Sequence, residues 1–236
     1  KNEKTLSFLK SSFFFVILLL IALIGFWPSY FSYLLGSNIH VSYYMHFHAF
    51  VALLWISILI IQPIFIKKKY HSSHRLVGKI SYFIVPLFYI SVILLAHSRL
   101  YGIEETDIWK GLWIVLKDLF IFAVFYFIAI INKRKMNIHA RGMIVTGLVF
   151  IEPSLVRFMK YVFFPSNSLI AYWSTIIIIY SILIVLIFIE RNKKEGKWVF
   201  PLTLGLYIFF HSVFIFQIEI ESWLKFSKWF NSLPLT

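Results

Sequence analysis

A chain of 236 residues that is 60% hydrophobic and only 14% charged, with a mean hydropathy of +0.83, has too little polar surface for a soluble domain of this size. Its composition is that of a polytopic membrane protein, and the absence of cysteine excludes disulfides, thiolate metal sites and thiol nucleophiles. A net charge of +13 would suit a nucleic-acid binder, but the placement of the bases gives it a different cause.

Crossing a bilayer takes about 20 apolar residues. Seven runs meet that need: 11–27, 43–66, 80–97, 111–131, 141–163, 169–189 and 198–217. The first is followed by WPSYFSYLLGSN, which lacks a small-x-small cleavage pattern, so it is expected to remain an uncleaved helix. The segments between the runs alternate in charge. KNEKTLSFLK, KKKYHSSHRLVGK, NKRKMNIHAR and ERNKKEGK together carry 16 of the 23 bases and three of the ten acids. Their excess equals that of the whole chain, so the bases follow the positive-inside rule and no nucleic-acid partner is needed to explain them.

The expected fold is therefore all-α: a polytopic membrane helical bundle of seven transmembrane helices, with the N-terminus cytoplasmic and the C-terminus outside. Residues 1–217 read as one membrane domain with its core at 43–163. Residues 218–236 read as an amphipathic tail lying on the outer surface, with Ile220, Trp223, Leu224 and Trp229 on one side. The many Phe, Ile, Lys and Tyr residues, all with AT-rich codons, point to a bacterial genome. The expected location is the bacterial cytoplasmic (inner) membrane.

Several residues do not belong in lipid. Lys117, Asp118, Glu152 and Arg157 lie inside predicted spans, where an unpaired charge is costly. Asp118 and Glu152 are expected to pair with Lys117 or Arg157 inside the bundle. Such pairs mark binding sites, and they also serve simply to fix helix register. His46 and His48 are two residues apart on one helix and so point about 200° from each other. His48 shares a stripe with Trp55 and Gln62 and is the inward one; His46 meets headgroups or a neighbouring helix. Pro153 leaves the Val149 carbonyl without its usual donor and should kink the fifth span beside Glu152. His97 and His211 stand in the outer half, and His71, His74, Arg75, His139 and Arg141 at the inner edge.

The spacing His-x6-Trp-x6-Gln, then His-Arg-x-x-Gly, an embedded Asp, and His-x-Arg-x-Met resembles a widespread family of uncharacterised bacterial multi-pass membrane proteins. The residues that carry it are His48, Trp55, Gln62, His74, Arg75, Gly78, Asp118, His139, Arg141, Met143 and Arg157. They cover the second to fifth spans, and Ala140 stands where the family usually has a base. A looser resemblance, to transmembrane b-type cytochromes and ferric-reductase-like domains, implies haem b held between paired histidines near each face. His74 with His139 would form the inner pair and His48 with His97 or His211 the outer, with Arg75 and Arg157 near the propionates.

Three functions are compatible with these residues. The first is a haem-b protein that moves electrons across the membrane, with His48, His74 and His139 as iron ligands and a quinone as a candidate partner. The second is a non-enzymatic accessory or assembly subunit of a larger membrane complex. The third is a carrier or receptor for a small anion or lipid, with proton coupling open, in which Arg157 and Lys117 form the anion site. No Gly-x-Ser-x-Gly, His-Glu-x-x-His or Gly-rich phosphate loop occurs.

Overall fold

The computed structural model describes residues 11–36, 41–103 and 105–236, the side chains of Glu105 and Thr106 excepted. Every regular element among them is helical. In chain order they are α1 (Ser11–Gly36), α2 (Tyr43–Lys67), α3 (His71–Leu100), α4 (Glu105–Ile131), α5 (Met136–Phe163), α6 (Ser168–Glu190), α7 (Val199–Ile215) and α8 (Glu221–Asn231). Six of these, α1 to α6, are long and apolar enough to cross a membrane, so the chain is a multi-pass membrane bundle. At 17 residues, α7 is shorter. The N-terminal segment 1–10, one of the four basic segments, lies outside the described residues.

Local chemistry sets the ends and breaks of these helices. The Ser42 hydroxyl accepts from the Tyr44 N–H at the start of α2, and the Asn167 side chain accepts from the Ile170 N–H at the start of α6. α1 carries a π-helical turn at Trp27–Phe31, which opens with Pro28. α5 is interrupted: Met136–Leu148 and Ile151–Phe158 are separate helical stretches. The break falls at residues 149 and 150, where Pro153 cannot donate to the Val149 carbonyl and its ring crowds that oxygen, so the helix is interrupted where the sequence placed a kink.

α5 is the centre of the bundle and touches α1, α2, α4, α6 and α7. Two close approaches make this possible. A Cβ on Gly25 of α1 would stand 2.6 Å from the Ser154 carbonyl of α5, and one on Gly142 of α5 would stand 2.9 Å from the Phe125 carbonyl of α4. Lipid is as apolar as the side chains, so such tight backbone packing, rather than exclusion from water, holds these helices together. At mid-bundle, Trp55, Phe88, Phe122 and Phe150 form an aromatic layer, with ring centroids 5.1 Å apart for Trp55–Phe122 and 5.2 Å for Phe88–Phe150.

The two ends of the bundle differ. One holds the basic connections before α3, α5 and α7; Asn137 there donates to Glu195 at 3.1 Å across two of them. The other is capped by α8, which packs on α4 and α3. Trp223 donates its indole N–H to the Trp109 carbonyl at 3.2 Å and meets the Trp113 ring at 5.2 Å. The face of α8 set against the bundle carries Trp223, Ser227 and Phe230, whereas Trp229 stays 56% exposed.

Candidate binding cavity and buried charge cluster

In the half of the bundle nearer α8, the five helices α1 to α5 enclose a cavity of about 640 Å³. Its walls are mainly apolar, with Phe88 and Phe150 of the aromatic layer among them. The polar groups that line it are few: His48, Arg99, Asp118, Ser154, Arg157 and the Ser29–Tyr30 pair with Tyr161. An apolar chamber with a small number of converging polar side chains is the common form of a ligand site.

Each polar group has a distinct position. Arg157, in the second stretch of α5, donates to the Pro153 carbonyl at 2.8 Å and lies 4.5 Å from the Phe26 ring. Among the described residues no carboxylate is within ion-pair distance of it, so the expected partnership with Glu152 or Asp118 is not formed. Arg99 is exposed at the same end and within electrostatic reach of Arg157. The Ser91 hydroxyl gives its single proton to the Phe88 carbonyl at 2.7 Å, so its 3.2 Å bond to His48 has His48 Nδ1–H as donor. That leaves Nε2 as the lone-pair nitrogen of the neutral His48 ring. His46 turns the other way, onto the Tyr30 hydroxyl at 3.1 Å, which is the neighbour-facing arrangement expected for it.

Asp118 stands at the seam between this cavity and a buried charge cluster. Lys117, one residue earlier and about 100° round the helix, points away from the cavity into the space between α5, α6 and α7. Its Nζ lies 2.5 Å from Glu152 Oε2 and 2.9 Å from Asp118 Oδ1, an ion pair with each. Glu152 Oε2 also binds His211 Nε2 at 3.1 Å, and His211 Nδ1 binds the Tyr180 hydroxyl at 3.0 Å. Lys117 lies 5.2 Å from the Tyr207 ring, and Tyr172 and Tyr180 flank His211. The break in α5 matters here, because it puts Glu152 in the first turn of a new helical stretch, where free backbone N–H groups favour a carboxylate.

The histidines proposed from the sequence do not converge on one centre. His97 Nδ1 is bound to Thr236 Oγ1 at 2.6 Å and its ring packs on Phe230. His211 is held by Glu152 and Tyr180. Neither lines the cavity that His48 lines, so an outer haem between His48 and either of them does not fit. At the basic end, His74 and His139 are within electrostatic reach of each other. His139 Nδ1–H donates to the Ala129 carbonyl at 2.9 Å, which leaves Nε2 free, and His74 Nδ1 is buried without a partner among the described residues. Gln62 donates to the His74 carbonyl at 3.2 Å, so the far end of the His48–Trp55–Gln62 stripe does reach α3. Trp55 is fully buried and Arg75 is exposed.

Some residues of the site were not evident from the sequence. Glu190, which ends an apolar run and reads there as a loop acid, is fully buried and ion-paired with Arg141 across α6 and α5. Tyr207 is one turn before His211, and that spacing was the available signal for an aromatic group stacked beside it. Arg99 and Ser91 had no such signal. No family model matches the chain, and neither does any curated protein or solved structure.

Proposed function

We propose that this protein is a carrier or receptor for an amphiphile with an anionic head, in a bacterial cytoplasmic membrane. In this reading the chain crosses the bilayer seven times, with α7 as the last span, the basic end in the cytoplasm and α8 outside. The observation that carries the function is Arg157: a guanidinium in a mainly apolar cavity that Asp118, Arg99 and His48 also line, with no carboxylate within ion-pair distance of it among the described residues. A buried cation without a counter-ion is costly, and an anionic ligand supplies one. The aliphatic and aromatic walls take the apolar part of the ligand. Arg99, exposed at the same end, attracts anions toward the opening.

The test is binding of octanesulfonate to the purified full chain in mild detergent, read by thermal stabilisation and by calorimetry. Arg157→Gln is expected to weaken binding roughly tenfold to a hundredfold, as removal of a charged hydrogen-bond donor does. His48→Ala is expected to leave it within a fewfold of wild type. Equal binding by wild type and Arg157→Gln would reject the assignment.

A second reading, electron transfer through haem b at the basic end, draws support from His74 and His139. Both have a nitrogen available, and the Nδ1–H bond from His139 to a backbone carbonyl is the support that ligating histidines commonly receive. When bound there, haem iron would supply one-electron exchange, and Arg75 is the nearby base for a propionate. A dithionite-reduced minus oxidised visible spectrum decides it. Sharp bands lost in His139→Ala would support the reading, and a colourless protein would end it.

A further inference from the structure

The charge cluster has more negative than positive groups, and the imbalance gives it a role. Lys117 faces two carboxylates, Asp118 at 2.9 Å and Glu152 at 2.5 Å. Arg157 lines the same cavity as Asp118, so an anion paired with Arg157 brings a further negative charge into the space that the Asp118 carboxylate faces. The interior then holds one uncompensated negative charge in a low-dielectric medium, and taking up one proton is the cheapest correction.

Two positions can accept that proton without rearrangement. Asp118 lines the cavity, its side chain 18% exposed; its Oδ1 faces the Lys117 ammonium, so Oδ2 is the oxygen open to a proton. His211 already holds hydrogen-bond partners on both ring nitrogens. As imidazolium it would donate to Glu152 through Nε2 and to the Tyr180 oxygen through Nδ1, since the hydroxyl can turn from donor to acceptor. Lys117 Nζ lies 3.5 Å from His211 Nε2 and also touches both carboxylates, so it joins the two positions. Among the described residues, the other groups facing the cluster, Tyr172 and Tyr207, bring hydroxyls and no further charge.

We propose that Asp118, Lys117, Glu152 and His211 form a proton-holding site that charges with one proton when an anion loads at Arg157, so that the protein binds anion and proton together. The proton comes from water through the cavity and goes to the Asp118 carboxylate or the His211 imidazole; no other bond changes. This coupling rests on the anion-binding reading above.

The experiment follows pH with an indicator dye in weakly buffered detergent solution as the full chain is titrated with octanesulfonate. That head group stays ionised, so any proton taken up goes to the protein; protein-free micelles serve as the blank. The expected result is uptake of about one proton per bound anion, as the linkage between charge and binding requires. Glu152→Gln removes the excess negative charge from a position outside the cavity wall. It is expected to keep or tighten octanesulfonate binding while uptake falls to near zero. Binding by wild type without proton uptake would overturn the coupling and leave the anion site standing. No binding at all would overturn both. Because the wild-type stoichiometry is itself decisive, the outcome does not depend on the folding of the variant.

Discussion

At the scale of single residues, what decides behaviour in this bundle is whether a buried charge has a partner. Arg141 and Glu190 are both nearly inaccessible and pair with each other, and Arg141 also donates to the Asn137 carbonyl at 2.8 Å. Removing either partner alone takes the ion-pair partner away from a buried charge. Arg141→Met and Glu190→Gln are each expected to destabilise the protein by about 3–5 kcal/mol, while the double variant should lose much less than their sum. Thermal unfolding in detergent of the two singles and the double checks this. The sequence showed that Asp118 and Glu152 needed cations, because depth in a span is countable. Which cation each would take was not legible, since that depends on how α5 is broken and turned. Lys117 takes both acids, and Arg157, equally available by depth, faces the cavity instead.

At the scale of helices, two glycines hold the packing and one proline directs it. Gly25 lies against the backbone of α5 at Ser154, which is itself a wall of the cavity, so Gly25→Ala must push α1 and α5 apart. The expected cost is about 1–3 kcal/mol, as for other overpacked sites, together with weaker octanesulfonate binding, because Arg157 rides on the same stretch. Gly142→Ala, pressed on the Phe125 carbonyl at the other half of α5, should cost a similar amount of stability with binding unchanged. Comparing melting and binding for the two variants separates packing from site geometry. Pro153 was readable as a kink from chain chemistry alone, and the interruption at 149–150 follows from it. The tail was less readable. Its apolar residues do not reveal which of them meet the bundle, and it is Trp223 and Phe230 that turn inward, onto Trp113 and His97.

At the scale of the molecule, six of the spans were legible because hydrophobic length is a property of the sequence itself. The enclosure of a cavity was not, because it depends on how five helices diverge. What most needs a measurement is α7. At 17 residues it rises about 25 Å, a little short of a typical hydrocarbon core of about 30 Å. It must nonetheless join the basic connection before it to α8, which packs at the opposite end on Trp109 and His97. In the seven-span reading proposed above, α7 crosses the bundle. The absence of cysteine makes the check clean, since any introduced thiol is the only one present. Lys68→Cys and Lys194→Cys, both at exposed positions of the basic end, are expected to react with a membrane-impermeant maleimide only after cells are permeabilised. Ser166→Cys and Ser232→Cys, exposed at the other end, should react on intact cells. If Ser232→Cys were protected while Ser166→Cys reacted, α7 would not cross, and α8 could not sit where it meets His97.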